Sequence, residues 1–224
     1  MTQPEASAAT ESIRSQVDDF NPGFNAQIGD RLAAVFADEQ AALNEVGVPG
    51  GAVTVGDTLP DAALATSDGT PTTLREQLSG GPGVLVFYRG AWCPYCNIAL
   101  RTYERDLVPA LPEGVSLLAV SPQTPESSAK AVEGAELTFP ALSDPAGALA
   151  AHLGILTAPS DAAGDAHNEL GFDVSDFNAD ATRGIPYPTV LVVDADLVVR
   201  FVDVHVDYTT RTEVPEILEA VRAL

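Results

Sequence analysis

The spacing of hydrophobic and polar positions predicts a helical segment at the start of the chain. Apolar residues recur at helical intervals over 5–46, and the breaker Asn21-Pro22-Gly23 divides them into two runs. A Gly/Pro-rich break follows at 47–51. We therefore expect a helical N-terminal arm at 1–50 and a second unit at 51–224. Periodicity alone leaves open whether the arm packs on its own core or mediates dimerisation.

The rest of the chain alternates between strand-like and helix-like segments. Short apolar runs at 84–88 and 115–120 are typical of buried strands, and helical spacing follows the first of them over 94–107. Near the end, apolar runs at 190–193 and 197–204 flank an Asp-rich turn and predict a hairpin. This order predicts an α/β fold in which helices flank a mixed central sheet.

One segment, 157–187, shows weak periodicity and is rich in Gly, Asp and Ala. It is longer than most connections between secondary-structure elements, and such loops are often functional. We therefore expect a functional loop or lid there.

The charge of the chain narrows its partners and its compartment. The net charge is −21 at pH 7, which disfavours binding to nucleic acid and to anionic membranes. No apolar run reaches the roughly 18 residues of a membrane span, and the first residues lack the basic start and apolar core of a signal peptide. We expect a cytoplasmic protein with no nucleic-acid or membrane partner.

Both cysteines of the chain lie in the sequence FYRGAWCPYC at 87–96, directly after an apolar run and before a helical one. Cys93 and Cys96 can close a disulfide within one helical turn, and a CxxC pair beside a βα unit is typical of thioredoxin-like redox sites. Pro94 is favoured at the first helical position, which places Cys93 near a helix N-cap, where free N–H groups favour an anion. This position predicts that Cys93 is the better-activated thiol.

The neighbours of the cysteines support a redox role. Arg89 and Arg101 make this part of an acidic chain locally basic, and a nearby cation favours a thiolate. Trp92, together with the flanking Gly90 and Pro94, argues against two inert buried thiols. We expect no metal and no cofactor, because the three histidines show no ligand spacing relative to the cysteines.

From about Val55 to Leu224 the chain resembles the peroxiredoxin-like proteins of the alkyl hydroperoxide reductase C and thiol-specific antioxidant superfamily. The helical arm is also similar to the one carried by such proteins. The resemblance implies a thioredoxin fold, antioxidant thiol chemistry, recycling by a thioredoxin-like donor and a homodimer. The matching segments are VGDTLPDAALATSDG (55–69), VLVFYRGAWCPYCNIALR (84–101), AVSPQTPESS (119–128), FPALSDPAG (139–147), PTVLVVDADLVVRF (188–201) and DYTTRTEVPEIL (207–218).

The site departs from the family pattern at three positions. Typical members carry PxxxTxxC, which places the peroxidatic cysteine on Cys96, the threonine on Cys93 and the proline on Arg89. An arginine that members place at the start of a later strand falls on Pro188, and Arg183 is the near substitute. The resemblance also implies a thioredoxin-type cis-proline loop at Tyr187-Pro188 that faces the cysteines.

These observations predict a thiol-dependent peroxidase that reduces hydrogen peroxide or organic hydroperoxides through a Cys93–Cys96 disulfide. The alternative is a dithiol–disulfide oxidoreductase in which Cys93 attacks and Cys96 resolves the mixed disulfide. A third alternative is a redox-sensing adaptor whose 157–187 loop binds a partner. Helix position favours Cys93 as the nucleophile and the family register favours Cys96; we expect Cys93.

Overall fold

The N-terminal arm consists of two helices. The computed structural model describes residues 11–224, so the part of the predicted helix at 5–10 lies outside the described residues. Helix α1 spans Ile13–Ile28 and helix α2 spans Asp30–Val46. The Ser12 hydroxyl accepts a hydrogen bond from the Ser15 N–H at 3.0 Å and caps the start of α1.

The break predicted at Asn21-Pro22-Gly23 is wrong, because α1 continues through Pro22. Proline in a helix interior removes one backbone hydrogen bond. Here Phe20 and Phe24 bracket the proline and stack at 5.2 Å between ring centroids. Both rings also pack edge-on against Tyr95 in the body of the protein. The chain turns instead at Gly29, where φ is +80°, a value that favours glycine.

A seven-stranded mixed sheet forms the centre of the protein in the order β2-β1-β5-β4-β3-β8-β9. Strands β3, β4 and β5 are parallel, and the other neighbouring pairs are antiparallel. Strands β6 and β7 form a separate two-stranded ribbon. The strands are β1 Ala63–Ala65, β2 Pro71–Thr73, β3 Gly83–Phe87, β4 Ser116–Ser121, β5 Ala141–Ser143, β6 Leu156–Thr157, β7 Ile185–Pro186, β8 Thr189–Val193 and β9 Val199–Val204.

Six further helices flank the sheet, so the predicted mixed α/β architecture is confirmed. They are α3 Leu74–Gln77, α4 Pro94–Thr102, α5 Pro125–Ala135, α6 Ala148–His152, α7 Asp161–Glu169 and α8 Val214–Arg222. The weakly periodic segment 157–187 contains α7, whose start is capped by the Ser160 hydroxyl, which accepts from the Ala163 N–H at 3.2 Å. Among residues 11–224, no helix combines the length and the apolar character that crossing a bilayer requires.

The arm packs on the core of its own chain. Ile13 and Val17 of α1 are buried in the same hydrophobic cluster as Cys93 and Cys96. The Glu213 carboxylate, just before α8, accepts hydrogen bonds from the Ile13 N–H at 3.0 Å and the Arg14 N–H at 2.9 Å. These contacts fix the start of α1 beside the layer of helices that holds the thiols.

Candidate active site

Both thiols lie where β3 gives way to α4. Cys93 is the N-cap of α4 and Pro94 is its first residue, as the sequence predicted. The Cys93 N–H donates to the Gly90 carbonyl at 3.1 Å, which closes the turn before the helix. Gly90 is required there, because its φ is +154° and a Cβ atom would lie 2.3 Å from Trp92 Nε1. The turn therefore folds Trp92 over the strand end and presents Cys93 at the helix start.

Cys96 is the thiol that hydrogen-bond donors surround. Its sulfur is fully buried and accepts from Arg211 Nη2 at 2.9 Å and from the Arg89 backbone N–H at 3.4 Å. Burial raises the pKa of Cys96, but the hydrogen bond from the Cys93 thiol and the positive charge of Arg211 together lower it more. The backbone N–H and the charge of Arg89 add to this, so the pKa of Cys96 lies well below its ordinary value.

The pKa of the Cys93 thiol is shifted in the opposite direction. Burial and the neighbouring Cys96 thiolate raise the pKa of Cys93 well above its ordinary value, against the attraction of Arg89 and Arg211. These shifts favour Cys96 as the thiolate, whereas helix position predicts Cys93. The helix terminus is worth roughly 0.3–1 kcal/mol, too little to offset the loss of solvation at a side chain that is 1% exposed.

Arg211 is the site residue that sequence reasoning missed. It lies in the connection between β9 and α8 and is buried. Its Nη1 donates to the Tyr208 carbonyl at 2.7 Å and to the Thr210 carbonyl at 2.5 Å, which aims the other nitrogen at Cys96. The only signal in the sequence was its place in the segment 207–218 that resembles the family, because 115 residues separate Arg211 from the thiol it contacts.

Arg89 is a buried cation held by aromatic rings. Its guanidinium carbon lies 4.3 Å from the centre of the Tyr208 ring and 5.1 Å from that of Trp92. Within residues 11–224 the guanidinium donates no hydrogen bond, and it lines the cavity next to Cys93. A charged group with free N–H donors therefore faces the space in front of the thiols.

That space is a cavity of about 230 Å³ between the arm, the CxxC turn and α7. Cys93 forms part of its wall, whereas Cys96 lies behind. Six aromatic side chains contribute to its lining, beside polar groups such as Glu39 and Arg89: Phe24, Phe36, Trp92, Tyr95, Phe172 and Tyr208. The segment predicted as a functional loop supplies one side through α7 and the residues after it.

His167 of α7 packs among these rings and not in a metal site. Its ring centroid lies 4.8 Å from that of Phe172 and 5.6 Å from that of Trp92. Burial lowers the pKa of His167 to about 4, so the ring is neutral at physiological pH. In the described part of the chain, no three His, Cys, Asp or Glu side chains are grouped to hold a metal ion.

The AhpC/TSA family model matches residues 55–202 of this chain. The chain belongs to the AhpC/TSA family. Two Mycobacterium tuberculosis proteins named as peroxiredoxins are 37% identical over 101 residues and 31% identical over 93 residues. These matches cover 45% and 42% of this chain and 65% and 59% of the relatives, which is less than two thirds of their length.

Solved structures confirm the thioredoxin fold. Peroxidoxin BcpB of Mycobacterium tuberculosis is 28% identical with a TM-score of 0.58, and the match covers 77% of this chain and 98% of BcpB. A peroxiredoxin-like protein from Aquifex aeolicus, 17% identical with a TM-score of 0.59, shares the fold over 78% of this chain and 89% of its own. Arg211 and the arm lie outside the AhpC/TSA match.

In the structure, Tyr187 and Pro188 lie beside the site and do not line the cavity. Tyr187 is buried and lines a neighbouring depression that it shares with Arg89. The Pro188 carbonyl accepts from the His205 N–H at 2.8 Å. No cis peptide bond occurs within residues 11–224, so the expected cis-proline at Tyr187-Pro188 is wrong. Pro188 directly precedes β8, a position where a residue without an N–H is acceptable.

Arg101 and Arg183 contact other groups than the thiols. Arg101 is exposed on α4 and donates to the Gly134 carbonyl at 2.8 Å, which joins α4 to α5. Arg183 pairs with Asp173, with Nε 3.0 Å from a carboxylate oxygen. Both side chains are therefore engaged by structural partners, and neither contacts a thiol.

Proposed function

We propose that this chain is a thiol peroxidase in which Cys96 is the attacking thiolate. The observation that carries the proposal is the convergence of Arg211 Nη2 and the Arg89 N–H on the buried Cys96 sulfur. The thiolate is the reactive form of cysteine, and cations and N–H donors favour it. Membership of the AhpC/TSA family supports a peroxide, either hydrogen peroxide or an organic hydroperoxide, as the substrate.

The reaction needs both cysteines and one reductant. The Cys96 sulfur attacks a peroxide oxygen, an S–O bond forms and the O–O bond breaks; the sulfur becomes a sulfenic acid, and the leaving oxygen takes up a proton. The Cys93 sulfur then attacks Cys96, loses its proton and forms the disulfide with release of water. A thioredoxin-like dithiol supplies two electrons and two protons to reopen the disulfide. The positive charge of Arg89 adds to that of Arg211 in favouring the Cys96 thiolate.

Rapid mixing of reduced protein with one equivalent of hydrogen peroxide tests the proposal. Trp92 is the single tryptophan of the chain and adjoins Cys93, so its fluorescence reports the change at the thiols. We expect oxidation much faster than that of free cysteine, followed by loss of two hydrogens in the intact mass. Oxidation no faster than that of free cysteine would refute the proposal.

A second function, dithiol–disulfide exchange, is favoured by the position of Cys93. Cys93 lines the cavity and Cys96 lies behind it, which is the order in which an incoming disulfide would be attacked and then released. Insulin reduction measures this activity. Reduction of insulin without reaction with peroxide would reverse the ranking, whereas a stoichiometric response without turnover under any donor would indicate a redox-sensing adaptor.

We further propose that the protein works as a homodimer in a reducing cytoplasm. The apolar face of the arm is buried on its own core, so the support for a dimer is now the family resemblance and the exposed Val46, Val48 and Val55. A monomeric mass at micromolar concentration would contradict the dimer.

A further inference from the structure

The two residues that flank Arg211 are held by one histidine ring. Thr210 and Thr212 lie on either side of the arginine in the connection between β9 and α8. His205 Nδ1 lies 2.7 Å from Thr210 Oγ1, and its Nε2 lies 3.3 Å from Thr212 Oγ1. The Asp203 carboxylate of β9 lies 2.8 Å from the same Nε2 and accepts from the Thr212 hydroxyl at 2.9 Å. The ring therefore joins the chain before the arginine to the chain after it.

The hydrogen-bond partners of the ring determine which of its nitrogens carry a hydrogen. The Thr210 hydroxyl has a single hydrogen, which it donates to the Asp207 carbonyl at 2.8 Å, so this hydroxyl accepts from His205 Nδ1. The Asp203 carboxylate can only accept, so Nε2 donates as well. A neutral imidazole has only one N–H donor. The geometry therefore indicates an imidazolium that donates from both nitrogens.

The surroundings of the ring balance this charge. The ring borders an open depression of about 670 Å³. Five acids and two arginines line the depression together with His205: Asp203 on β9, Asp207, Arg211 and Glu213 in the connection, Glu216 on α8, and Arg14 and Asp18 on α1. The hydrogen bond from His205 is the main cause that lowers the pKa of Asp203. The acidic partner of the ring is therefore held in its ionised form.

The network connects the sheet to the guanidinium. The His205 N–H donates to the Pro188 carbonyl at 2.8 Å, directly before β8, and this bond fixes the backbone of the histidine. At the other end, Arg211 Nη1 donates to the Thr210 carbonyl at 2.5 Å while Nη2 donates to the Cys96 sulfur at 2.9 Å. Hydrogen bonds weaken steeply when they are misaligned. A displacement of Thr210 would therefore turn the guanidinium and weaken its bond to the sulfur.

We propose that His205 and Asp203 are positioning residues that aim Arg211 at the attacking sulfur. The inference rests on the proposed function, in which Cys96 is the attacking thiolate. Among residues 11–224 the Cys96 sulfur accepts hydrogen bonds from Arg211 and Arg89 and not from the histidine. The ring therefore acts on the thiolate through the arginine, and its loss should have the same kind of effect as loss of the arginine, but a smaller one.

The first experiment titrates Cys96 in the Cys93→Ser protein, where it is the only thiol, by the ultraviolet absorbance of the thiolate. His205→Leu removes both ring donors and should raise the pKa of Cys96 by about one unit, a tenfold change in its dissociation constant. His205→Asn keeps one amide donor and should raise it less. His152→Leu, the same substitution on the exposed side of α6, is the matched control and should cause no shift. Circular dichroism checks folding, and Thr210→Val, which removes only the acceptor of Nδ1, replaces a variant that does not fold.

The second experiment tests whether the ring acts through the arginine. In a protein that already carries Arg211→Gln, His205→Leu should raise the pKa of Cys96 no further, because the group that the ring aims is absent. Additive shifts would overturn the proposal, and so would an unchanged pKa of Cys96 in His205→Leu alone. Either result with fast oxidation by hydrogen peroxide would leave the peroxidase intact. Slow oxidation of the wild type with the expected pattern of shifts would refute the proposed function and still support the positioning role.

Discussion

The two thiols lie in one helical turn, yet their surroundings are opposite. Cys96 is closed off and accepts hydrogen bonds from Arg211 and the Arg89 backbone. Cys93 faces an aromatic cavity, and no N–H group of residues 11–224 donates to its sulfur. A helix terminus contributes roughly 0.3–1 kcal/mol, and a hydrogen bond to a charged group roughly 1.5–3 kcal/mol. Donors from outside α4 therefore decide which sulfur carries the charge.

The two sides of the site also differ in where their parts come from. The family-matched segment 55–202 supplies both thiols and Arg89. The segment after it completes the polar side with Arg211, and the arm before it completes the apolar side with Phe24 and Phe36. The polar side and the apolar side can therefore be altered by separate substitutions.

The largest effect is expected from replacing the thiols one at a time. Cys96→Ser should slow oxidation by hydrogen peroxide at pH 7 by at least about two orders of magnitude, because loss of a nucleophile is rarely compensated and the raised pKa of Cys93 keeps that thiol protonated. Cys93→Ser should keep the fast first step, since a serine hydroxyl still donates to Cys96. Rapid-mixing fluorescence measures both.

Trapping of the oxidised product gives the control for this pair. Cys93→Ser lacks the second thiol, so dimedone should label a sulfenic acid on Cys96 and intact mass should show one adduct. A fast Cys96→Ser variant that carries the adduct on Cys93 would instead assign the attack to Cys93.

The second-largest effect is expected in the dependence of the oxidation rate on pH. Arg211 favours the thiolate of Cys96, so the wild-type oxidation rate should be level through neutral pH and fall only in acid. Arg211→Gln should raise the pKa of Cys96. The rate at pH 7 then falls about ten- to a hundredfold, as expected for a lost charge-assisted hydrogen bond, and recovers as pH rises toward 10.

Arg101→Gln removes the same charge from α4, the helix that carries Cys96, without touching a thiol. Its pH profile should coincide with that of the wild type. If Arg211→Gln also kept the level wild-type profile, the hydrogen bond from Arg211 would not be what holds Cys96 ionised.

Local patterns in the sequence predicted the elements that local forces determine. The apolar run before Trp92 and the proline after Cys93 were sufficient to place a strand, a turn and a helix N-cap. The expected break at Pro22 failed because stacking of Phe20 and Phe24 on Tyr95 compensates for the lost hydrogen bond.

The polar and apolar partners of the thiols could not be predicted in this way. Arg211 reaches Cys96 only because β9 and the connection to α8 pack beside α4, and neither spacing nor composition encodes that approach. The sequence of the arm predicted helices, but it did not indicate that Phe24 and Phe36 would line a cavity. Helix α7 was missed because its sequence is rich in small and acidic residues.

A smaller effect is expected at Arg89, which acts on both thiols. Arg89→Gln removes the stacked guanidinium but keeps the backbone N–H that donates to Cys96. A charge interaction without a hydrogen bond is worth about 1 kcal/mol, so oxidation by hydrogen peroxide at pH 7 should slow by roughly fivefold. Rapid mixing measures the rate, and a loss as large as that of Arg211→Gln would show that Arg89 also contacts the reacting oxygen.

The smallest effect tests whether the apolar side depends on the arm being held. Glu213→Gln weakens the bonds to the Ile13 and Arg14 N–H groups at the start of α1, and should lower the free energy of unfolding by about 1 kcal/mol. Urea denaturation and hydrogen exchange of the first turns of α1 measure it. Glu219→Gln makes an equal change of charge on the exposed face of α8. It should change neither the free energy of unfolding nor the hydrogen exchange of α1. Because the bonds of Tyr95 and Tyr208 to the arm remain, the rate of oxidation by hydrogen peroxide should not change; a slower rate would show that the end of α1, and not the packing of its middle, positions the site.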